Sequence, residues 1–475
     1  MTEPKQTRPS GPFPYAERFG VSPKLPDKGR SREEILHEMH EISGEEDSFW
    51  QTGKVSGTMY CGDTEHYAFL NEVFSYYSHV NALQRDICPS MTRFEGEISA
   101  MALDLMHADA AVGPGEDDRP CGSVTSGGTE SILTSVLMHR DRARAERGIT
   151  DPELILPVTA HPAFEKGAHL FGLKLVRARV DPYTTLVDVD EVRSLINANT
   201  VMMVGSAANY PYGTIDPIEE LSSLALEHEV ALHVDGCLGG FILPWGEQLG
   251  YDIPAFDFRL PGVSSISADT HKYGYGLKGT SVLMCRDRSM RRHQYFMTPD
   301  WPGGTYCSPG IAGSRSGGLL AASWASMQSL GREGYLGYAK AIFETSFAMQ
   351  DAVRSHDELV MMGKPTFCFS FSSEQFEIYH LNDFMKKRGW RFNGQQFPNA
   401  IHMCVTRPQT QPGVVDLFRD DLAAAVAYAT DPASEAPKSS GVYGGIHELE
   451  SDAKESLRRA LYRYMDTCQG LPRGY

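Results

Sequence analysis

Lys272 stands beside His271 in the run Asp269-Thr-His-Lys-Tyr273, directly after the apolar stretch Ser264–Ala268. A lysine placed where a strand opens into a glycine-rich loop is a candidate Schiff-base nucleophile. Upstream, His233-Val-Asp235-Gly-Cys237-Leu-Gly-Gly240 puts a carboxylate at the end of another apolar stretch. Further upstream lies Thr125-Ser-Gly-Gly-Thr-Glu130. There Gly127 and Gly128 let backbone approach an anion, Thr129 offers a hydroxyl, and a following helix start directs unpaired N–H groups at the same point. Each motif alone has a plainer reading: a helix start, a capped loop, a solvated lysine. Their order decides. A phosphate nest, a carboxylate at a strand end and a His-Lys pair are what a pyridoxal-phosphate site requires. The nest takes the phosphate, Asp235 keeps the pyridine nitrogen protonated, and Lys272 carries the aldehyde.

The elements that must position these groups are legible in the same stretch. Apolar runs at Leu154–Thr159, Leu173–Val180, Val201–Ser206, Ala231–Val234, Ser264–Ala268 and Ser281–Cys285 predict buried strands. Helical patterning separates them, and a helix over Ser131–Arg147 puts Ile132, Leu133, Val136 and Leu137 on one face. The alternation predicts an α/β fold with a largely parallel sheet and ligands at the strands' carboxyl ends. From Gly363 on, sparser strands (Phe367–Phe371, Ile401–Val405) predict a smaller α+β unit. Ser31 followed by acidic residues predicts a helix start. Met1–Arg30 reads as a flexible arm and Thr430–Gly445 as a flexible loop. The expected division is an arm (1–30), a segment serving dimer and substrate site (31–97), a large cofactor-binding domain (98–350) and a small C-terminal domain (351–475).

Two motifs are set aside. Gly274-Tyr-Gly-Leu-Lys-Gly279 matches GxGxxG, but a dinucleotide site needs a helix after it, and Thr280–Cys285 reads as a strand. His37-Glu-Met-His40-Glu lacks the HExxH spacing and reads as a charged helix face. No metal is expected. A net charge of −17 argues against a non-specific nucleic-acid binder. Nine scattered cysteines without CxxC spacing suggest reduced thiols and a cytoplasmic protein. No apolar run approaches the ~20 residues of a membrane span, and the N-terminus has no signal-peptide core, so a soluble chain is expected.

With these motifs in place, the sequence resembles the sphingosine-1-phosphate lyases, in the group II decarboxylase branch of fold-type I pyridoxal-phosphate enzymes. The resemblance runs from about Gly44 to Thr406. It is carried by GKVSGTMY (Gly53–Tyr60), SVTSGGTES, HPAFEK (His161–Lys166), NYPYGTID (Asn209–Asp216), HVDGCLGGF, ISADTHKYGYGLKGTS and IAGSRSGG (Ile311–Gly318). Eukaryotic members typically carry a membrane segment, so the chain is closer to the soluble bacterial form. The resemblance implies a fold-type I architecture and pyridoxal 5'-phosphate as cofactor. Lys272 would form the Schiff base, Asp235 would pair with the pyridinium, and His161 would stack on the ring with Cys237 on the opposite face. Gly127, Gly128, Thr129 and His271 would hold the cofactor phosphate. Tyr60, Asn81, Tyr210, Lys278 and Ser314 would bind the substrate phosphate, with Arg315 an adjacent cation. Lys278, His161, Tyr60 and the substrate phosphate itself are all candidates for the base. A homodimer with shared sites is implied, the neighbour supplying the Ser314 loop.

One position departs from the pattern. The family commonly reads Asn-Pro-Leu-His where this chain reads Asn81-Ala-Leu-Gln84, so a histidine expected at the substrate phosphate is Gln84, which donates a hydrogen bond but carries no charge. The expected reaction is retro-aldol cleavage of a phosphorylated sphingoid base to a long-chain aldehyde and phosphoethanolamine. The rival is an amino-acid decarboxylase using the same Lys272, Asp235 and His161.

Overall fold

The computed structural model describes residues 13–432, 436–438 and 451–471. Strands β1 (Cys121–Thr125), β2 (Glu153–Pro157), β3 (Lys174–Ala178), β4 (Thr200–Ser206), β5 (Ala231–Asp235), β6 (Val263–Ala268) and β7 (Ser281–Cys285) form one sheet in the order β1-β7-β6-β5-β4-β2-β3. β2 through β6 pair in parallel, whereas β7 runs antiparallel to both β6 and β1. All seven residues of β4 are buried, as expected for a strand covered on both faces. Six of these strands match the apolar runs. β1 does not announce itself: Cys-Gly-Ser-Val-Thr is too polar and small, yet it is covered by the helices Ser90–Leu105 and Gly128–Arg147.

The helix after β1 starts at Gly128, three residues before the expected start, so the small residues of the nest are themselves its first turn. Ser31 caps the helix Arg32–Trp50 with a reciprocal pair: its Oγ accepts from Glu34 N–H, and Glu34 accepts from Ser31 N–H. The described part of the expected flexible arm lies along this helix, with Tyr15 donating to Glu46 at 3.0 Å and Arg18 to Glu45 at 2.9 Å. The arm's first twelve residues, and most of the expected loop Thr430–Gly445, lie outside the described residues. Among the described residues no helix is long and apolar enough to cross a membrane.

A hairpin of β8 (Phe296–Thr298) and β9 (Tyr306–Ser308) follows the large sheet. Then comes the long helix Gly317–Arg354, broken at Gly331. Strands β10 (Val360–Met361), β11 (Cys368–Ser372), β12 (Asn393–Gln395) and β13 (Ala400–Cys404) make an antiparallel sheet in the order β10-β11-β13-β12. Residues 55–57 add to it: Val55 bridges Arg391, and Gly57 N–H donates to Cys404 O at 3.0 Å. That attachment delivers Tyr60 to the loop after β6, where its ring meets Tyr273 edge-on at 5.0 Å. Tyr273 in turn donates to Val405 O at 2.7 Å, fastening the lysine loop to the small sheet.

Candidate active site

The carboxyl ends of β1, β5 and β6 meet at one cavity of about 520 Å³, lined by Gly127, Gly128, Thr129, Cys237, His271 and Lys272 among others. The floor begins at β1. Gly127 has φ 141°, which a residue with a side chain rarely adopts, and ends the strand as the cap of the following helix. A Cβ on Gly128 would stand 2.7 Å from the Asp269 carboxylate and 3.0 Å from Cys237 Sγ. Only glycine fits there. Glu130 turns aside from the helix axis to accept from Ser126 N–H at 2.6 Å and Ala312 N–H at 2.9 Å. Among the described residues no acceptor meets the N–H groups of Gly128 and Thr129, which leaves a built anion site at the start of a 20-residue helix.

Lys272 Nζ lies 2.9 Å from Asp269 Oδ2. Burial opposes the lysine's charge, but Asp269, with Tyr60 and Cys237, overrules it and holds the ammonium well above the usual lysine range. Asp269 itself is buried, and its Oδ1 has no partner. His271 bonds Thr280 O through Nδ1 at 2.5 Å and turns Nε2 toward Asp269 at 3.7 Å. Burial lowers its pKa. Asp235, at the end of β5, sits behind Cys237: its Oδ1 accepts from Cys237 N–H at 3.0 Å and Ser267 Oγ–H at 3.3 Å. The Cys237 thiol is pushed well up by burial, so it is no ready nucleophile. His161 lines the cavity, its Nδ1 accepting from Ala163 N–H at 3.2 Å.

Lys278 Nζ stands 4.4 Å from the centre of the Tyr60 ring. Its ammonium is pulled down to about 8, first by burial and then by the charge of Lys272. Burial also pushes the Tyr60 and Tyr210 hydroxyls up. Tyr210 accepts from Asn393 Nδ2 at 2.9 Å and lies against His402. Asn81 and Ser314 bond each other at 3.0 Å. Ser314 lines a smaller cavity of about 140 Å³ that shares Ser126 and Ala312 with the main one. Gln84 is exposed.

Arg315 corrects the expectation of a cation facing substrate. Its guanidinium donates to both oxygens of buried Glu95, at 3.1 and 3.0 Å, and to Val124 O at 2.7 Å. It is a brace behind β1. Asp269 has no place among the expected residues, and its signal was its spacing, one turn ahead of Lys272. A cluster of His107, Glu247 and Asp257 has metal-like proximity. Arg259 occupies both carboxylates at 2.6 to 2.9 Å, so the cluster is an ion-pair network.

Residues 14–371 match the family model described as the pyridoxal-dependent decarboxylase conserved domain. Sphingosine-1-phosphate lyase of Arabidopsis thaliana is 43% identical over 93% of this chain and 80% of its own length. That of Dictyostelium discoideum is 41% identical over 93% of this chain and 81% of its own. The chain belongs to the sphingosine-1-phosphate lyase family. The solved structure of Burkholderia pseudomallei sphingosine-1-phosphate lyase matches with a TM-score of 0.91 at 57% identity, covering 97% of this chain and all of that one. Lactobacillus brevis glutamate decarboxylase matches at 0.73 with 20% identity, a likeness of fold alone. The fold-type I architecture of the lyase family thus accounts for both sheets.

Proposed function

We propose that this protein is a pyridoxal-phosphate-dependent carbon–carbon lyase that cleaves sphingosine 1-phosphate, or a similar phosphorylated sphingoid base, to a long-chain aldehyde and phosphoethanolamine. One observation carries the reading: Lys272 and a helix start without acceptors among the described residues line one cavity, with the strand-end Asp235 directly behind Cys237 in its wall, in a chain of this lyase family. The site fits the cofactor because its donors are unpaired where a phosphate would lie, and because the cradle at Gly128 has no room for a Cβ. When bound, pyridoxal phosphate supplies an aldehyde for imine exchange and a ring that accepts electrons.

In this reading Lys272 is the amine that would hold the cofactor by its aldehyde and would give way to the substrate's amine. The first-turn N–H groups at Gly128 and Thr129, with His271, hold the phosphate. Asp235 would keep the ring nitrogen protonated, and His161 and Cys237, which line the cavity, would hold the ring. Tyr60, Tyr210 and Lys278 grip the substrate phosphate and hold the breaking C2–C3 bond in place, where binding energy becomes rate. Asn81, Gln84 and Ser314 complete that grip across a homodimer interface, and Arg315 supports it from behind. Lys278 serves that grip only as an ammonium, which has no lone pair to take the proton of the C3 hydroxyl, so the bases left are His161, Tyr60 and the substrate phosphate itself. The division into an arm (1–30), a dimer and substrate segment (31–97), a cofactor domain (98–350) and a small domain (351–475) belongs to the same proposal, as does a cytoplasmic location.

The test is to incubate the purified protein with sphingosine 1-phosphate and follow the products by mass spectrometry. Hexadecenal and phosphoethanolamine are expected. Carbon dioxide release from an amino acid, with no aldehyde from the sphingoid phosphate, would replace this reading by the decarboxylase one.

A further inference from the structure

A line of buried polar groups runs beneath the sheet to Asp235. His139, on the helix Gly128–Arg147, and His233, on β5, both approach Ser265 Oγ on β6, at 2.9 and 2.8 Å. The other ring nitrogen of His233 lies 3.2 Å from Ser267 Oγ, which donates to Asp235 Oδ1 at 3.3 Å. The β5–β6 register sets His233 beside Ser265 and Asp235 beside Ser267, so the two-residue period of a strand puts all four on one face. None of His139, Ser265, His233 and Ser267 is more than 2% exposed. Phe164 packs edge-on against the His233 ring at 5.7 Å and fixes its plane.

Counting protons orients the line. A serine hydroxyl has one proton to give. Ser267 gives its own to Asp235, so its oxygen accepts, from His233 Nε2–H and from the Cys237 thiol at 3.2 Å. His233 is therefore the Nε2–H tautomer, and its Nδ1 accepts the proton of Ser265. The Ser265 oxygen in turn accepts from His139 Nε2–H. Every proton points toward the carboxylate, and bonds aligned this way polarise one another. Burial pushes His233 down to about 4 and His139 well below the usual histidine range, so both rings are neutral donors.

We infer that His139, Ser265, His233 and Ser267 form an oriented donor relay that holds Asp235 as a carboxylate and sets how firmly Asp235 keeps a cofactor ring nitrogen protonated. These are positioning residues, since none touches the cavity. The inference rests on the proposed pairing of Asp235 with pyridoxal phosphate. If the line merely satisfied buried polar groups, its proton direction would be indifferent.

Two measurements test it. The first uses the full chain without cofactor, labelled with 15N-histidine, and reads the tautomers from two-bond nitrogen–proton spectra. His233→Gln and His139→Gln assign the signals. Both rings are expected as neutral Nε2–H tautomers from about pH 6 to 8, the window where an ordinary histidine titrates. His233 found as Nδ1–H, or titrating there, overturns the relay. The second measures the ring-nitrogen resonance of 15N-labelled pyridoxal phosphate bound to the wild type and to Ser265→Ala. The variant is expected to keep the cofactor while the resonance moves toward the unprotonated position. A drop of one unit in the nitrogen's pKa is tenfold, and kcat is expected to fall by about that factor with KM little changed. An unmoved resonance with only lower thermal stability overturns the inference. Should Ser265→Ala not fold, His139→Gln carries the same comparison. A wild type that binds no cofactor defeats the proposed function instead, and the tautomers still judge the relay.

Discussion

Lys272 is charged, held by Asp269, and surrounded by groups that favour that charge. Removing its amine leaves no other amine among the residues that line the cavity to form an imine with an aldehyde. Lys272→Ala is therefore expected to abolish turnover and to remove the visible absorbance of the holoenzyme; a fully active variant would refute its role. Lys278 differs because its pKa lies near about 8. The cation is present below that pH and is lost as the pH rises through it, so the grip on a phosphate weakens on the alkaline side. KM for the sphingoid phosphate is expected to climb above pH 8 in the wild type. Lys278→Met is expected to show a KM that is already about 10–100-fold raised, the worth of one charged hydrogen bond, and flat across that range. Steady-state kinetics against pH decides between them. Lys272 and Asp235 were legible in the sequence only through their company, since a lone lysine is ordinarily solvated and a lone strand-end aspartate can cap a loop, whereas the nest, the aspartate and the His-Lys pair follow one another in order. Asp269 was not, since an aspartate in a loop ordinarily means only solvent. Arg315 misled for the opposite reason: a cation next to Ser314 suggests an anion, and the carboxylate it serves, Glu95, is remote in sequence.

Elements hold these groups in place through a few tight contacts. The helix Gly128–Arg147 brings its first turn against Asp269 and Cys237, with no space for a methyl group at Gly128. Gly128→Ala is expected to push that turn away and to weaken cofactor binding by about tenfold or more, a loss on the scale of one hydrogen bond. Fluorescence titration with pyridoxal phosphate measures it, and unaltered affinity would remove the turn from the cofactor site. Glu95 fastens three elements, accepting from Val124 N–H on β1 while pairing with Arg315 and Arg85. Burial raises its pKa, but Arg315 and Arg85 pull it below the usual carboxylate range. Its stabilising effect is complete above the ordinary carboxylate pKa and is lost as pH falls through the lower native value. Glu95→Gln strands a buried guanidinium and is expected to cost about 3–5 kcal/mol in denaturant unfolding. The strands β2, β4, β5, β6 and β7 could be read from sequence because burial on both faces demands largely apolar runs, and the edge strand β3 because Leu175 and Val176 stand between its charged residues. β1 escaped because small residues let two helices pack close on it, and β8, β9, β10 and β12 because two or three residues carry no period.

At the scale of the whole molecule, charge and apolar surface pull in opposite directions. Phe296, Met297, Trp301 and Ile311 stand exposed along and beyond the β8–β9 hairpin, and Trp301 is 57% accessible. Patches of this kind mark association surfaces. Ile311 and Ala312 also line the cavity that holds Lys272, so whatever covers this surface borders the active site. Under the homodimer proposal the cover is a second copy, and the chain is expected to sediment at twice its 52.5 kDa. Each copy carries a net charge of −17, so mutual repulsion opposes the contact and the apolar surface must outweigh it. Added salt screens the repulsion over a Debye length of about 10 Å at 0.1 M and leaves apolar burial intact. Trp301→Glu removes apolar area and adds a further negative charge to each copy. The variant is expected to dissociate at low ionic strength, to lose activity in step with the monomer fraction, and to recover both as salt is raised. Sedimentation and turnover measured across a salt series follow the two together. A fully active monomer would show that one chain completes the site by itself.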